Sequence, residues 1–527
     1  MDKLVKFAKS NLPLLLILAA SLIIRINNFD YPLLNGETHR DYLVGRHILN
    51  FAEFPQTGPC CLWNGALGEI RNSPVYYYTT AVILGIKDNV LFLSAINILL
   101  QLGTIFTTYF LANRFFGKTT ALIATILFSA STEVLRQSQF FWQPHLMNAF
   151  VNFSYLFLAL SYLKKSYFLA LVSIFLFLFG GSIHNAAFGL LPIFYFAIFG
   201  VLKNQKSPAH HYFFVIVFSI LTLTLFYLPW FINLAKDGSF LKFSPFQRFL
   251  VAQPSEFAKN FSLVTTTLIK TFWQNPSFLG SISGLVVLAC FFVYFANFKR
   301  NVLEKRVFFL ILFFAIIQFL LISALFRAKI WSFYFTPIFS LFVILIAEVI
   351  NSVLSKNLIA KTAKLLLIFI LIKIFSSNFN FLSFTPLVNL KHVNEATAAI
   401  ENKIFETQKR EKLPDLNFFQ IKVYSTGVES PATSELVFWS KLEKDLNSKF
   451  IKVVDSANSF NFLNGNNYLF LICQSTPRRI NEEKECLAPF SQEFKNHSIV
   501  GKIFSQQPFS IYLTTYKDNP NRMKGTI

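Results

Sequence analysis

The sequence has few charged residues. Only 14% of its 527 residues are Asp, Glu, Lys or Arg, whereas a soluble globular domain usually has about 25%. Acidic residues are the scarcer group, with 27 Asp and Glu against 48 Lys and Arg. Hydrophobic residues make up 54% of the chain. This balance excludes an ordinary soluble protein and favours an integral membrane protein.

The sequence also lacks the short patterns that bind nucleotides or metals. It contains no G-x-x-x-x-G-K or G-x-G-x-x-G loop, which argues against a bound nucleotide. Its five Cys show no spacing typical of a metal site. Cys473 and Cys486 flank a polar loop, and they could form a disulfide if the tail lies outside the cytoplasm. No internal repeat is present.

Long apolar runs account for most of the first 380 residues. A membrane span needs about 20 apolar residues, and its backbone must be helical because lipid offers no hydrogen-bond partners. The pattern predicts about eleven spans, near residues 10–27, 89–112, 119–136, 145–163, 166–183, 185–202, 212–234, 279–298, 307–326, 331–353 and 362–377.

Basic residues between the spans predict the orientation. Lys3, Lys6 and Lys9 precede the first span, and further Lys and Arg follow the even-numbered spans. Cytoplasmic loops are rich in Lys and Arg, so the N terminus is predicted to be cytoplasmic and the tail extracytoplasmic. The same rule explains the net charge of +21 without a nucleic-acid partner. We therefore expect a multi-pass protein of the plasma (inner) membrane.

The domain organisation follows from the change in composition near residue 384. Residues 1–384 are predicted to form a transmembrane domain, mainly α, whose first outer loop covers 28–88. The polar tail, 385–527, has helical patterns near 392–412 and 434–447, and strand-like runs at 418–424, 450–454, 468–473 and 511–515. Such alternation predicts a small soluble α/β domain.

The first outer loop holds the densest group of polar residues. Glu37 and Asp41 are four positions apart, so a helix would place them on one face. His39 and Arg40 lie between them. A carboxylate near the membrane surface can act as a general base for an attacking hydroxyl. The alternative is an ordinary solvated helix that carries an acidic pair.

Polar and aromatic residues also occur near other predicted outer ends of spans. Arg71, Tyr76 and Tyr77 lie late in the first outer loop, where tyrosines could contact a sugar or simply form the interfacial aromatic belt. His184 lies at the junction of two spans. Ionisable residues at such depth are often functional, although a histidine can also hydrogen-bond a turn.

Two cations run against the predicted distribution of charge. Arg327 and Lys329 follow the ninth span, on the predicted outer side. Arg and Lys are natural partners of a phosphate group. The alternative is a pair that extends along the interface to reach water. Arg25, at the outer end of the first span, has the same two interpretations.

Several of these segments are similar to motifs of a known family. Glu37 with Arg40-Asp41 resembles a "D-x-x-R-D" motif, residues 73–78 resemble "G-P-x-Y-Y-Y", and residues 182–184 resemble "Q-x-H". Residues 327–337 resemble an "H-Y-x-x-x-x-P" element. Over about residues 10–350 the chain resembles the type-C (GT-C) glycosyltransferase superfamily, in the branch of protein O-mannosyltransferases and bacterial aminoarabinose transferases.

The resemblance implies a transfer of a sugar from a polyprenyl-phosphate carrier at the outer face of the membrane. Its acceptor would be a protein, a lipid or a glycan. The implied catalytic residues are Glu37 and Asp41. The implied substrate-binding residues are His39, Arg40, Arg71, Tyr76, Tyr77, His184, Arg327 and Lys329.

The cofactor and the exact class of activity stay open at this stage. No cofactor is assigned, although some members of the superfamily bind a divalent metal. A flippase or transporter of lipid-linked sugars is one alternative. A polymerase or ligase of surface polysaccharide is another.

Overall fold

The structure is a computed structural model that covers most of the chain. It describes residues 2–26, 36–56, 58–59, 72–139, 141–236, 253–272, 278–325, 332–354, 358–375, 390–412, 419–425, 438, 441–442, 444–446, 468–474, 487, 497–506 and 509–516.

Helices occupy each of the eleven ranges predicted to span the membrane. The helices of the first part are α1 Asp2–Ile26, α2 Gly36–Phe51, α3 Val75–Ile86, α4 Val90–Phe116, α5 Lys118–Ala130, α6 Thr132–Gln139, α7 Gln143–Lys164, α8 Tyr167–Ile183, α9 Leu191–Asn204 and α10 Ala209–Lys236. Those that follow are α11 Pro254–Phe272, α12 Phe278–Ala296, α13 Leu303–Ala324, α14 Thr336–Val353, α15 Leu358–Phe375 and α16 Leu390–Glu411.

The membrane class is confirmed by length and hydropathy. Within the described residues, 6 helices are long and apolar enough to cross a bilayer, and α1, α5, α8 and α12 contain shorter apolar stretches. One predicted span, 119–136, is interrupted: α5 ends at Ala130, and Ser131 has an extended backbone. The polar sequence of α6 then begins a separate helix, with Glu133 in its first turn where the helix dipole favours an acid.

Buried polar side chains join the membrane helices. Gln101 of α4 donates a hydrogen bond from Nε2 to the backbone oxygen of His145 in α7, at 2.9 Å. Ser173 of α8 donates from its hydroxyl to the backbone oxygen of Ser154 in α7, at 2.7 Å. Helices in lipid gain little from hydrophobic burial against each other, so such hydrogen bonds hold their faces in register.

A buried carboxylate links three further helices. Glu348 of α14 is fully buried, and its Oε1 lies 2.5 Å from the Lys305 ammonium of α13. Its Oε2 accepts a hydrogen bond of 3.0 Å from the Thr120 hydroxyl of α5, and Ser352 donates to Oε1. Both carboxylate oxygens are therefore satisfied, as a buried charge requires.

The tail contains the predicted α/β domain. Its strands are β1 Phe419–Ser425, β2 Tyr468–Gln474, β3 His497–Gln506 and β4 Phe509–Tyr516. They form a sheet in the order β1-β2-β4-β3, in which only β1 and β2 pair in parallel among the described strands. Strand β3 was not predicted, and the predicted strand at 450–454 lies outside the described residues.

One face of this sheet packs on α16. Alternate strand residues such as Ile421, Phe470 and Ile511 lie in one core with Val393 and Ile400 of the helix. The spacing of seven between these helix positions places both on one stripe. On the opposite face, Cys473 is disulfide-bonded, and Cys486, its predicted partner, lies outside the described residues.

The chain divides into two compact units. The first contains residues 1–27, 56–79 and 93–382. The second contains residues 28–55, 80–92 and 383–527. Helix α2 and the loop before α4 therefore belong to the same unit as the α/β tail.

Candidate active site

Helix α2 carries the predicted catalytic carboxylates, and it is a buried helix. Every residue from Asp41 to Ile48 is buried, and Asp41 itself is 1% exposed. A solvated surface helix would expose its acids, so that alternative does not describe Asp41. Burying a charge is costly unless it is paired, which makes the environment of this carboxylate informative.

Asp41 is ion-paired with its neighbour Arg40. The Nε and Nη2 atoms of Arg40 lie 2.9 Å and 2.6 Å from Oδ1 of Asp41. Both contacts use one carboxylate oxygen, so the pair is not the usual two-oxygen fork. Glu37 lies in the first turn of the same helix, and its side chain is outside the described part of the structure.

His39 is buried on the same helix, with 3% of its surface exposed. Burial lowers the pKa of its imidazole from 6.5 to about 4. Desolvation favours the uncharged form of a base. His39 is therefore neutral at physiological pH, and any contact it makes with a substrate is that of a neutral imidazole.

Tyr76 and Tyr77 begin helix α3 and are both buried, at 0% and 2% exposed. The Tyr76 ring stacks on Phe141 at a centroid distance of 5.8 Å, and its hydroxyl lies 3.5 Å from the Phe141 backbone oxygen. An interfacial belt would place both rings on the surface. Their burial argues against that alternative, and their role in substrate binding stays a prediction.

Asn72 joins three segments that are far apart in sequence. Its Nδ2 donates to Oε1 of Gln143 at 3.1 Å, and its Oδ1 accepts from the backbone nitrogen of Asn185 at 3.2 Å. The Tyr227 hydroxyl of α10 donates to Oδ1 of Asn185 at 2.7 Å. We call these four residues the polar junction. In the first unit it connects the start of α7 with the ends of two segments that resemble family motifs, residues 73–78 and 182–184.

Gly58 explains how the loop before this junction approaches so closely. Its backbone nitrogen donates to the Asn72 backbone oxygen at 2.7 Å. A Cβ at position 58 would lie 2.2 Å from the Ser73 backbone oxygen, which no side chain tolerates. This close approach thus requires glycine at position 58, and the backbone oxygen of Pro59 accepts a hydrogen bond from Asn72.

His184 lies beside the polar junction, between α8 and the 3₁₀ turn Asn185–Leu190. Its Nδ1 accepts a hydrogen bond of 3.3 Å from the Ala186 backbone nitrogen, so it caps this turn. Its ring lies 5.3 Å from that of Tyr334. Tyr334 belongs to the segment 327–337 that resembles a family motif, so the structure brings these two motif segments into contact.

Arg25 is a buried cation at the end of α1, with 5% of its surface exposed. Its Nη1 donates to the Ser21 backbone oxygen at 3.0 Å. Its Nε and Nη2 are buried and have no hydrogen-bond partner among the residues that the structure describes. A guanidinium left in this state can still bind an anion.

Three predicted site residues lie outside the described residues: Arg71, Arg327 and Lys329. In the described part of the chain, no group of three or more His, Cys, Asp and Glu side chains is arranged to hold a metal ion. The possibility of a divalent metal therefore stays a prediction.

Two polar residues that each make several side-chain contacts were not predicted from the sequence. Asn72 precedes the Ser-Pro-Val-Tyr-Tyr-Tyr element, and Asp88 lies between α3 and α4. The Asp88 carboxylate accepts hydrogen bonds from Tyr42 and Arg46 of α2. The spacing of Glu37 and Asp41 predicts that they share a helix face. Asp88 is an isolated charge between apolar runs, and no pattern in the sequence indicates its contacts.

The chain is similar to ArnT from Cupriavidus metallidurans bound to undecaprenyl phosphate, with a TM-score of 0.52 and 13% identity over 95% of this chain and 97% of that one. It is also similar to the oligosaccharyltransferase AglB from Archaeoglobus fulgidus in complex with an inhibitory peptide and a dolichol-phosphate.

For AglB the TM-score is 0.49 at 12% identity, over 96% of this chain and 74% of that one. No family model and no curated protein matches the chain. The similarity to ArnT establishes the fold, so the fold implied by the sequence resemblance is confirmed.

Proposed function

We propose that this protein is a membrane glycosyltransferase that moves a sugar from a polyprenyl-phosphate carrier to an acceptor hydroxyl or amide. The observation that carries the proposal is the buried carboxylate of Asp41, paired with Arg40 on the helix that follows the first span. A buried carboxylate in a segment that resembles the acidic motif of a transferase family is a candidate for a catalytic group. In the type-C fold, this one lies in the segment that directly follows α1.

The chemistry that fits this carboxylate is general base catalysis. As an acceptor oxygen or nitrogen attacks the anomeric carbon, its proton passes to the carboxylate of Asp41, with Glu37 as the alternative base. The new glycosidic bond forms while the bond from the anomeric carbon to the phosphate oxygen breaks. The polyprenyl phosphate leaves with the bonding electron pair.

The leaving phosphate requires a cation, and Arg25 is the described residue best suited to supply one. Its guanidinium is buried at the end of α1, and among the described residues only its Nη1 has a hydrogen-bond partner. Arg–phosphate contacts are charge-assisted and stronger than neutral hydrogen bonds. Arg327 and Lys329 remain candidates for the same role on the grounds of sequence.

The sugar itself would meet the neutral polar groups near the polar junction. His184, Tyr227 and Asn185 offer uncharged donors and acceptors, which suit hydroxyl groups. We propose that these groups of the first unit recognise the sugar. The donor sugar and the acceptor are to be identified by screening.

The test is a transfer assay with purified full-length protein in lipid nanodiscs and a panel of radiolabelled polyprenyl-phosphate sugars. Asp41→Asn should lower the rate of transfer about 10²- to 10⁴-fold because an amide cannot accept the proton. Glu37→Gln is tested in parallel. Glu304→Gln, which removes an exposed ion pair with Arg114, is the matched control and should transfer at the wild-type rate.

Transfer at the wild-type rate by both Asp41→Asn and Glu37→Gln would rule out carboxylate catalysis by α2. The flippase alternative is tested with the same variants in liposomes that report movement of the lipid between leaflets. Loss of lipid movement together with undiminished transfer would favour a transporter.

A further inference from the structure

We propose that the C-terminal α/β domain orients the candidate catalytic helix, and that Asp88 is the positioning residue through which it does so. This inference rests on the proposed function, since α2 carries Asp41. All residues involved belong to the second unit. The supporting observation is that Asp88 forms hydrogen bonds with both α2 and the tail.

The Asp88 carboxylate binds α2 with both oxygens. Oδ1 accepts a hydrogen bond of 2.6 Å from the Tyr42 hydroxyl, and Oδ2 lies 3.1 Å from Nε of Arg46. Tyr42 and Arg46 are four residues apart, so they share one face of the helix. Two bonds to successive turns resist rotation of the helix about its axis, which a single bond does not.

The backbone of Asp88 binds the tail. Its carbonyl oxygen accepts a hydrogen bond of 2.7 Å from the Lys444 ammonium. The side chain thus holds α2 while the main chain of the same residue holds the C-terminal domain. Burial, followed by the bond to Asp88, raises the pKa of Tyr42, which keeps its hydroxyl protonated as a donor.

Hydrophobic packing connects the same two parts. Leu43 of α2 is a member of the core formed by α16 and the sheet, together with Ala396, Phe470 and Leu513. A helix residue that lies in the core of a domain moves with that domain. The C-terminal domain therefore holds α2 by packing at Leu43 and by polar contacts at Tyr42 and Arg46.

A third contact closes off another side of the helix. At Gly45, an added Cβ would lie 3.0 Å from side-chain atoms of both Leu84 and Thr80 in α3. Positions 42, 43, 45 and 46 are thus occupied by anchoring contacts. Positions 37 and 41 lie about 140° around the helix from positions 42 and 46, given 3.6 residues per turn. Anchoring the face with positions 42 and 46 therefore fixes the orientation of the face with positions 37 and 41.

The experiment compares Asp88→Ala with Asn89→Ala in the full-length protein. Asn89 is the matched control because its side chain caps α4 in the same loop, through a 2.7 Å bond to Leu91. Asp88→Ala should lower kcat about 10- to 100-fold, since a small misplacement of a catalytic group has effects of that size. The KM for the donor should change less than about twofold, and Asn89→Ala should leave both constants unchanged.

Hydrogen exchange of the peptide 36–51 gives a readout that does not depend on activity. Asp88→Ala should speed exchange in α2 because the helix loses its anchor. If Asp88→Ala does not fold, Tyr42→Phe removes only one of the two bonds and should show the same pattern at smaller size.

Unchanged kcat and unchanged exchange in Asp88→Ala, or in Tyr42→Phe in its place, would overturn the inference. So would an equal fall in kcat for Asn89→Ala. If the wild-type protein transfers no sugar from any donor, the proposed function fails, and exchange in α2 alone then decides whether Asp88 anchors the helix.

Discussion

Glu348 and Arg25 are both buried ionisable side chains of the first unit, but their surroundings differ. Glu348 is fully buried, and Lys305, Ser352 and Thr120 satisfy its two oxygens. Among the described residues, Arg25 hydrogen-bonds only to a backbone oxygen of its own helix. A satisfied charge between helices serves the fold, whereas a cation with unused donors can accept a ligand.

The largest expected effect on stability is at Glu348. Glu348→Ala leaves the Lys305 ammonium without its carboxylate and should lower the free energy of unfolding by about 3–5 kcal/mol. Thermal unfolding in detergent measures this loss. The neighbouring Glu304, whose ion pair with Arg114 is exposed, provides the control: Glu304→Gln should cost less than about 1 kcal/mol. Equal losses of stability in the two variants would contradict the expected difference between the buried and the exposed ion pair.

His39 extends the comparison to a group that is buried in its neutral form. Its pKa of about 4 in the folded protein lies below the unfolded value of 6.5. The unfolded chain therefore binds the proton first, so His39 makes stability fall as the pH drops from 6.5 to 4. The loss should reach about 3 kcal/mol.

Melting temperatures measured across this pH range check the effect of His39. His39→Gln cannot be protonated and should show a flatter pH dependence. A curve identical to that of the wild type would show that His39 does not titrate as its burial requires.

Asn72 is a half-buried polar residue that carries no charge. Asn72→Ala removes the bond to Gln143 and leaves the Asn185 backbone nitrogen without its partner. The expected loss of stability is about 1–3 kcal/mol. Asn297→Ala, which removes a hydrogen bond of 2.9 Å at an exposed position, should have almost no effect. Chemical denaturation of the two variants provides the measurement.

Arg25 should have the smallest effect on stability and a clear effect on binding. Arg25→Gln removes a buried cation whose Nε and Nη2 have no hydrogen-bond partner among the described residues, so the melting temperature should be unchanged or higher. Affinity for a polyprenyl phosphate should fall about 10- to 100-fold, the range for a lost charge-assisted hydrogen bond. Native mass spectrometry with added lipid measures that affinity. Unchanged affinity would leave Arg25 without a role in donor binding.

The parts of the fold predicted from the sequence are those set by local pattern. Apolar runs of about 20 residues became helices because lipid leaves the backbone no other way to satisfy its hydrogen bonds. Strand β3 was missed because its residues alternate poorly: Ile499 and Val500 are both exposed, and the register shifts near Gly501 and Phe504.

The candidate site also has features that local pattern predicts and features that it does not predict. The helix under Glu37 and Asp41 followed from a spacing of four residues. The contacts of Asn72 with Gln143 and Asn185 span 71 and 113 residues, and those of Asp88 with α2 span 46 and 42. No local pattern encodes such pairs, because they form only when distant segments pack together. Burial of Asp41, likewise, depends on tertiary structure.

The close approach at Gly58 has a mechanical consequence. The backbone at Gly58 lies so close to the backbone of Asn72 and Ser73, just before α3, that no methyl group fits between them. Any larger residue at position 58 would push Asn72 and Ser73 away from the backbone of residues 58 and 59. A single added carbon at position 58 would thus disturb the contacts of Asn72 with α7 and with Asn185 at once.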